Sequence, residues 1–356
     1  MTPREQVEAV LLHKPVDRVP FTIYECMLPQ CAVERQLRNK GLCIVNRHYP
    51  TCTVTNRDVE VEEFHRTDEK GEKVVEYVFK TPVKTLRKVV RPAPDYNTHW
   101  VEKTLFDDEG DYEALECIFS DRHYEPDYEN FKKAEETLGG DVILRAAGGD
   151  IPWHEIMMTM GVEKFCFEWI DNRDRILRLH DILVEKARAR FAIVADSPAL
   201  HANFGGNINP DITSPEVFRE YKLPLINEFA ELMHSRGKLV GCHLDDKNGR
   251  LAPLIAETKL DIIEAFTPPP DCDLGVREAL ELWPDKILWL NFPSSVHLSA
   301  PDVVEETTRH ILRDAAPGNR IIMGITEDIP PDKWQESLRA IMRGIEHYGN
   351  LPIAAE

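Results

Sequence analysis

The chain lacks several features that would assign it to a cellular class at once. None of its apolar runs reaches the roughly 18 consecutive residues of a membrane-spanning helix. Its first residues, Met1-Thr-Pro-Arg-Glu-Gln6, lack the basic and then apolar pattern of a signal peptide. Basic residues are outnumbered by acidic ones, 43 to 62, which gives a net charge of −19. We therefore expect a cytoplasmic protein that binds neither a membrane nor nucleic acid, whose phosphates need clustered lysines and arginines.

Motifs of several enzyme classes are also absent. The chain has 8 cysteines but no Cys-x-x-Cys pair, so neither a disulfide framework nor a zinc ribbon is indicated. No Gly-x-Ser-x-Gly segment occurs, which argues against a nucleophilic serine on a strand-to-helix turn. The Gly-x-Gly-x-x-Gly spacing of dinucleotide-binding loops is missing too. Candidate chemistry therefore depends on histidines and carboxylates.

The chain does contain a regular alternation of strand-like and helix-like segments. Apolar runs typical of buried strands lie at 19–24, 142–147, 199–203, 239–243, 262–266, 287–291 and 321–325. Amphipathic segments of helical length separate most of them, and Thr2 followed by Pro3 is a favourable helix start. This rhythm predicts an α/β fold, a (β/α)₈ barrel formed by residues 1–356 as one domain. We expect the eighth strand near 190–196 or within a β-rich insertion at about 50–106.

Polar side chains follow many of the predicted strands. In parallel α/β folds the carboxyl ends of the strands gather the functional residues. His243 and Asp245 directly follow the apolar run 239–242, and Glu327 follows the last strand. The residues expected to line a substrate pocket beside them are Glu25, Trp153, His154, His201, Asn203, Glu264 and Asn291.

The three residues His243, Asp245 and Glu327 allow more than one chemistry. An imidazole with two carboxylates can bind a metal ion and leave a position open for substrate. Alternatively, Asp245 could orient His243 as a general acid or base. Asp245 could also simply cap the helix that follows, which is a common role for aspartate.

Short characteristic segments are distributed along nearly the whole chain. They are Thr2-Pro-Arg-Glu-Gln6, Lys14-Pro-Val-Asp-Arg-Val-Pro20, Ser214-Pro-Glu-Val-Phe-Arg-Glu-Tyr221, Leu223-Pro224, Gly241-Cys-His243 and Ile329-Pro-Pro-Asp332. These segments resemble proteins of the uroporphyrinogen decarboxylase superfamily, which implies a TIM barrel. True decarboxylases of this superfamily carry an Arg-Gln-Ala-Gly-Arg-Tyr motif that binds substrate carboxylates. This chain has Thr22-Ile-Tyr-Glu-Cys-Met27 in that region. The difference argues against a porphyrinogen substrate, because buried anions need basic partners.

The chain is more similar to the corrinoid-dependent methyltransferases of the superfamily, which bind zinc through a His-x-Cys pair and a later cysteine. His243 matches the histidine of that pair, and Asp245 stands where its cysteine is expected. Glu327, placed by its spacing to Ile329-Pro-Pro-Asp332, stands where the later cysteine is expected. The resemblance thus implies a metal site in which carboxylates replace both thiolates, or a site without metal. Carboxylates are harder donors than thiolates, so such a site suits zinc with oxygen substrates, or another metal.

Three functions remain open on this basis. The first is a metal-assisted methyltransferase, such as an O-demethylase, that moves a methyl group from a small methoxylated substrate to cobalamin, a corrinoid carried by a partner protein. The second is a metal-independent decarboxylase or other lyase that acts on a non-porphyrinogen substrate through His243 and Asp245. The third is a non-enzymatic barrel that binds a ligand or a corrinoid protein. We also expect that the chain could pair with itself as a homodimer.

Overall fold

Eight of the strands in the computed structural model form a closed barrel, and the structure describes residues 1–354. The strands are β1 (Phe21–Tyr24), β2 (Leu42–Tyr49), β3 (Cys52–Thr55), β4 (Glu60–Thr67), β5 (Lys73–Lys80), β6 (Thr85–Pro92), β7 (His99–Lys103), β8 (His123–Pro126), β9 (Val142–Gly149), β10 (His201–Phe204), β11 (Leu239–His243), β12 (Ile262–Phe266), β13 (Ile287–Leu290) and β14 (Ile321–Ile325). The barrel order is β1-β14-β13-β12-β11-β10-β9-β2. The predicted (β/α)₈ barrel is confirmed.

Helices connect the barrel strands and surround them. They are α1 (Pro3–Leu11), α2 (Ala32–Asn39), α3 (Tyr112–Ser120), α4 (Tyr128–Thr137), α5 (Pro152–Met160), α6 (Val162–Asp171), α7 (Arg173–Asp196), α8 (Pro215–Val217), α9 (Leu223–His234), α10 (Ala252–Ala256), α11 (Val276–Leu282), α12 (Pro301–Asp314) and α13 (Trp334–Tyr348). A π-helical turn, Phe218–Lys222, joins α8 to α9. None of the helices described is long and apolar enough to cross a membrane.

The first helix begins where the sequence predicts it. Thr2 is the N-cap, its side chain accepts a hydrogen bond from the Glu5 N–H, and the Glu5 carboxylate accepts one from the Thr2 N–H. This reciprocal capping box satisfies two amide groups that would otherwise lack partners. Val7 and Val10 on the apolar face of this helix pack with strand residues in a buried cluster. The N-terminal helix therefore anchors the chain to the barrel core.

The eighth barrel strand is β2, and both predicted places for it were wrong. Residues 190–196 form the end of α7, while β2 ends just before the β-rich segment. Its second half, Asn46-Arg-His-Tyr49, is polar and only partly buried. Polar residues interrupt the apolar run that identifies the other strands, because this end of β2 lies beside the candidate site described below.

The described chain divides into two compact units. The first contains the barrel and comprises residues 1–50, 128–148 and 198 onward. The second comprises residues 51–127 and 149–197. It holds a four-stranded antiparallel sheet, β4-β5-β6-β7, and a two-stranded sheet, β3-β8. The β-rich insertion predicted at about 50–106 contains β3 to β7. Strand-like runs at 51–55, 73–80, 84–90 and 99–105 predict β3, β5, β6 and β7, but no such run predicts β4.

Candidate active site

Three of the predicted residues lie together at the carboxyl end of the barrel. His243 is the last residue of β11, Asp245 follows it, and Glu327 follows the end of β14. Their ligand atoms all lie within 4.8 Å of one another, and Nε2 of His243 is 3.4 Å from Oδ2 of Asp245. Two strands separate β11 from β14 in the barrel order, so closure of the barrel brings these side chains together.

Glu264 on β12 is the centre of a buried hydrogen-bond network beside these residues. Its carboxylate accepts hydrogen bonds from Nδ1 of His243 at 2.7 Å and Nδ2 of Asn203 at 3.0 Å. The hydroxyl of Tyr24 donates to it as well. Nη1 of Arg145 forms an ion pair with the same carboxylate at 2.9 Å. A buried carboxylate needs such partners, and here they come from four barrel strands.

These contacts set the charge of the buried groups. Burial alone would raise the pKa of Glu264, but the charges of Arg145 and His243 lower it well below its usual range. Burial alone would lower the pKa of His243, but Glu264 and Asp245 raise it to about 10. Without a metal ion, His243 is therefore an imidazolium between two carboxylates at neutral pH.

The glycine of β11 makes room for this network. A Cβ atom on Gly241 would lie 2.3 Å from Oδ1 of Asn203, whose amide nitrogen donates to Glu264. Any larger residue at 241 would displace the Asn203 amide, because a contact this short is not tolerated. Gly241 is thus part of the site because its lack of a side chain leaves room for the Asn203 amide.

The backbone next to Glu264 is strained. Ala265 has a φ of 60°, in the left-handed region that residues with a Cβ atom rarely adopt. The pairing register between β12 and β13 shifts at the same place, between Glu264 and Phe266. Such strain persists when the surrounding structure fixes it, and it is common at functional sites.

The Glu327 carboxyl is held close to another acid. Burial and the charge of Asp245 raise the pKa of Glu327, against the opposing effect of His243. The preceding residue, Thr326, donates its N–H to Oδ1 of Asn291 at 3.0 Å. Asn291 also donates to the hydroxyl of Thr267. Asn291, one of the predicted pocket residues, therefore links the ends of β12, β13 and β14 by hydrogen bonds beside Glu327.

His201 lies lower in the barrel, at the start of β10. It is fully buried and stacks on Trp289, with ring centroids 5.8 Å apart. Neither ring nitrogen has a hydrogen-bond partner within residues 1–354. Burial and the charge of Arg145 lower the pKa of His201 to about 3, so its imidazole is neutral. Whether His201 contacts a substrate stays a prediction.

The remaining predicted residues are Glu25, Trp153 and His154. Glu25 follows β1, and its carboxylate accepts a hydrogen bond from the Arg47 N–H at 3.3 Å. Trp153 and His154 lie on α5 in the second unit. The Trp153 ring is buried there and packs edge-on against Phe165 and Trp169.

Sequence reasoning missed two members of the site, Tyr24 and Arg145. Arg145 is only 2 % exposed although it lies in the middle of an apolar strand. Arginine is almost never buried without a partner, so its place in the run Val142-Ile-Leu-Arg-Ala-Ala147 was a usable signal. Tyr24 gave no comparable signal, because an aromatic residue at a strand end is ordinary.

Fold and site together define an α/β barrel with an imidazole and acidic groups at its carboxyl end. The sequence matches the family uroporphyrinogen decarboxylase (URO-D) over residues 94–348, and the chain belongs to that family. Its fold is similar to that of a methyltransferase from Methanosarcina mazei, with a TM-score of 0.61 and 12 % sequence identity. That similarity covers 98 % of this chain and 99 % of the other. No curated protein matches the sequence.

Proposed function

We propose that the protein is a metal-assisted methyltransferase whose metal ion is held by His243, Asp245 and Glu327. The observation that carries this proposal is the proximity of their three ligand atoms, all within 4.8 Å of one another. Zinc is the metal expected, since it accepts imidazole and carboxylate ligands and keeps a position open for substrate.

The contacts of these residues fit a cation. Oδ1 of Asp245 is buried and has no hydrogen-bond partner among residues 1–354. Burial and the charge of Asp245 raise the pKa of Glu327, although the charge of His243 opposes that rise. A divalent ion would supply further positive charge, because buried carboxylates need pairing.

Glu264 orients His243 for this role. It accepts the Nδ1 proton, which leaves Nε2 of His243 on the side of Asp245, where a metal ligand is needed. A carboxylate that holds the second nitrogen of a ligating histidine is a common arrangement and increases the basicity of the ligand. Arg145 balances the charge of Glu264, so the carboxylate stays ionised at neutral pH.

The proposed reaction moves a methyl group from a small methoxylated substrate to a corrinoid carried by a partner protein. A bound metal ion would polarise the ether oxygen, which keeps the electron pair of the broken carbon–oxygen bond. Carboxylate ligands suit an oxygen substrate better than thiolates would, because they are harder donors. The fold similarity to a methyltransferase supports the barrel that this proposal requires. It does not identify the substrate.

A second candidate is a metal-independent carboxy-lyase, and the raised pKa of His243 favours it. Burial opposes the charged imidazole, but Glu264 and Asp245 raise its pKa to about 10 and make it a proton donor at neutral pH. Such an acid could protonate the carbon that loses carbon dioxide. This reaction would continue in the presence of a chelator.

One experiment separates the two candidates. Purified wild-type protein, His243→Ala and the exposed control His310→Ala are analysed for metal and assayed for methyl transfer from methoxylated compounds to reduced cobalamin. We expect one metal ion per chain and methylcobalamin formation in the wild type and the control, and neither in His243→Ala. Absence of metal and of transfer in the wild type would reject the methyltransferase. Chelator-resistant release of carbon dioxide would then support the lyase.

A further inference from the structure

Arg47 is an arginine fixed beside the candidate site. It lies near the carboxyl end of β2, and its guanidinium carbon is 4.6 Å from the centre of the Tyr24 ring. Its N–H donates to Glu25 at 3.3 Å, and its carbonyl accepts a hydrogen bond from Nε of Arg145 at 3.1 Å. Backbone and side chain are thus tied to the network centred on Glu264, so the position of the guanidinium is built into the fold.

The Nε donor of this guanidinium is left free. The Glu25 carboxylate approaches Nε no closer than 3.8 Å, which is too far for a hydrogen bond. Nε of Arg47 is buried and has no hydrogen-bond partner within residues 1–354, although an arginine carries five N–H donors in a rigid plane. The side chain is 26 % exposed, so a ligand can reach it.

Strand order places Arg47 at the same end of the barrel as the candidate metal site. β2 and β14 are the two neighbours of β1 in the barrel. Arg47 lies two residues beyond the β1–β2 pair Tyr24–Val45, and Glu327 lies two residues beyond the end of β14. The guanidinium, which lies over the Tyr24 ring, is therefore at the carboxyl end of the barrel, where substrate would meet the metal ligands.

We propose that Arg47 binds an anionic group of the substrate and that this group is a carboxylate. This inference rests on the proposed function for the place where substrate binds. An arginine pairs with a carboxylate through two parallel hydrogen bonds, which fixes orientation as well as charge. Glu25 offsets part of the positive charge, so a singly charged carboxylate fits better than a phosphate dianion. One arginine would then hold a small acid with its reacting group directed to the metal ligands.

The test compares a small carboxylate with a neutral analogue of the same shape. Binding of trifluoroacetate and trifluoroacetamide to the full chain is measured by fluorine NMR, with and without a chelator. The proteins are the wild type, Arg47→Gln, Arg47→Lys and Arg35→Gln. Arg35 is an exposed arginine on α2, so its variant loses the same charge away from the site.

We expect the wild type and Arg35→Gln to bind the carboxylate about tenfold or more tightly than the amide, the effect of one charge-assisted pair. Arg47→Gln should bind both probes equally in the chelator, and Arg47→Lys should retain part of the preference. Equal affinity of the wild type for both probes, no binding of either, or an unchanged preference in Arg47→Gln would overturn the inference.

Metal content measured on the same samples separates this inference from the proposed function. Arg47→Gln should keep its metal, because Arg47 is not a ligand. If the wild type holds no metal but prefers the carboxylate through Arg47, the proposed function fails and the inference stands. If metal binds normally while Arg47→Gln keeps the preference, the inference fails alone.

Discussion

Two histidines on neighbouring barrel strands differ in charge at neutral pH, one being an imidazolium and the other a neutral imidazole. His243 at the end of β11 lies between Glu264 and Asp245, and these carboxylates overcome burial and raise its pKa to about 10. His201 at the start of β10 is fully buried, whereas the side chain of His243 is 17 % exposed. His201 faces Trp289 and has no hydrogen-bond partner among residues 1–354. Burial and the charge of Arg145 lower its pKa to about 3. Burial opposes the charged form of both rings, and the carboxylates beside His243 account for the difference in charge.

The same contrast separates two levels of the barrel interior. At the carboxyl end, Glu264 binds Arg145, Tyr24, Asn203 and His243, so charged groups are gathered and paired. One level lower, Trp289 donates its indole N–H to Thr22, and the neutral His201 ring stacks on it. The lower level therefore supports the site, while the upper level holds the groups that can bind a metal or transfer a proton.

Removal of the Glu264 carboxylate should have the largest effect on the difference in charge between His243 and His201. Glu264→Gln leaves Arg145 buried without its ion-pair partner, so we expect a loss of about 3–5 kcal/mol in the free energy of unfolding. The pKa of His243 should fall in the same variant, because the charge that raises it most is gone. Urea unfolding and NMR titration of the histidine measure the two effects.

The matched control is Glu278→Gln on the exposed side of α11, which should change stability by less than about 0.5 kcal/mol. A loss below about 1 kcal/mol for Glu264→Gln would show that the network is not the stabilising centre of this end of the barrel.

Replacement of the neutral histidine should change the response to acid. The folded pKa of His201, about 3, lies below the unfolded value of about 6.5. Its contribution is therefore complete above pH 6.5, and it is lost by up to about 1.4 kcal/mol per pH unit as the pH falls towards 3. His201→Phe removes this pH-dependent contribution together with two unpaired nitrogens. The free energy of unfolding of the variant should therefore decline less steeply with falling pH than that of the wild type.

Urea unfolding of both proteins between pH 7 and pH 5 measures the difference in slope. Parallel curves would mean that His201 has the same pKa in the folded and the unfolded protein, which would contradict the account.

A smaller effect should come from the strained residue beside Glu264. Ala265→Gly removes the Cβ atom that disfavours a φ of 60°. The same change in a helix, Ala279→Gly on α11, removes an equally buried methyl group from unstrained backbone. We therefore expect Ala265→Gly to be less destabilising than Ala279→Gly by about 1–2 kcal/mol, as compared by differential scanning calorimetry. Equal losses in the two variants would show that the backbone at 265 is not strained.

The barrel could be predicted largely because its strands are apolar runs. Strands β11, β12 and β14 have the predicted bounds, since each run ends where polar residues begin. β2 escaped prediction because Asn46-Arg-His-Tyr49 interrupts its run, and β4 because nearly all its residues are exposed. A local sequence pattern identifies a strand mainly by its buried apolar residues, so a strand with few buried residues is hard to recognise.

The candidate site was predictable in part for a related reason. His243, Asp245 and Glu327 follow apolar strands, and the barrel gathers the residues at strand ends. The pairing of Arg145 with Glu264 was not predictable, because it joins β9 to β12 across the barrel interior. Contacts of that kind depend on closure and register, which no local pattern specifies. The free Nε of Arg47 likewise appears only once its neighbours are placed.

The most direct test of the proposed site is a measurement of zinc affinity. Competition with a chelating dye gives the dissociation constant for the wild type, Asp245→Asn, Glu327→Gln and His310→Ala. We predict that each ligand variant binds zinc at least about 100-fold more weakly, beyond the 10- to 100-fold effect typical of residues outside the ligand set. His310→Ala should match the wild type. Equal affinity in all four proteins would contradict the assignment of His243, Asp245 and Glu327 as a metal site.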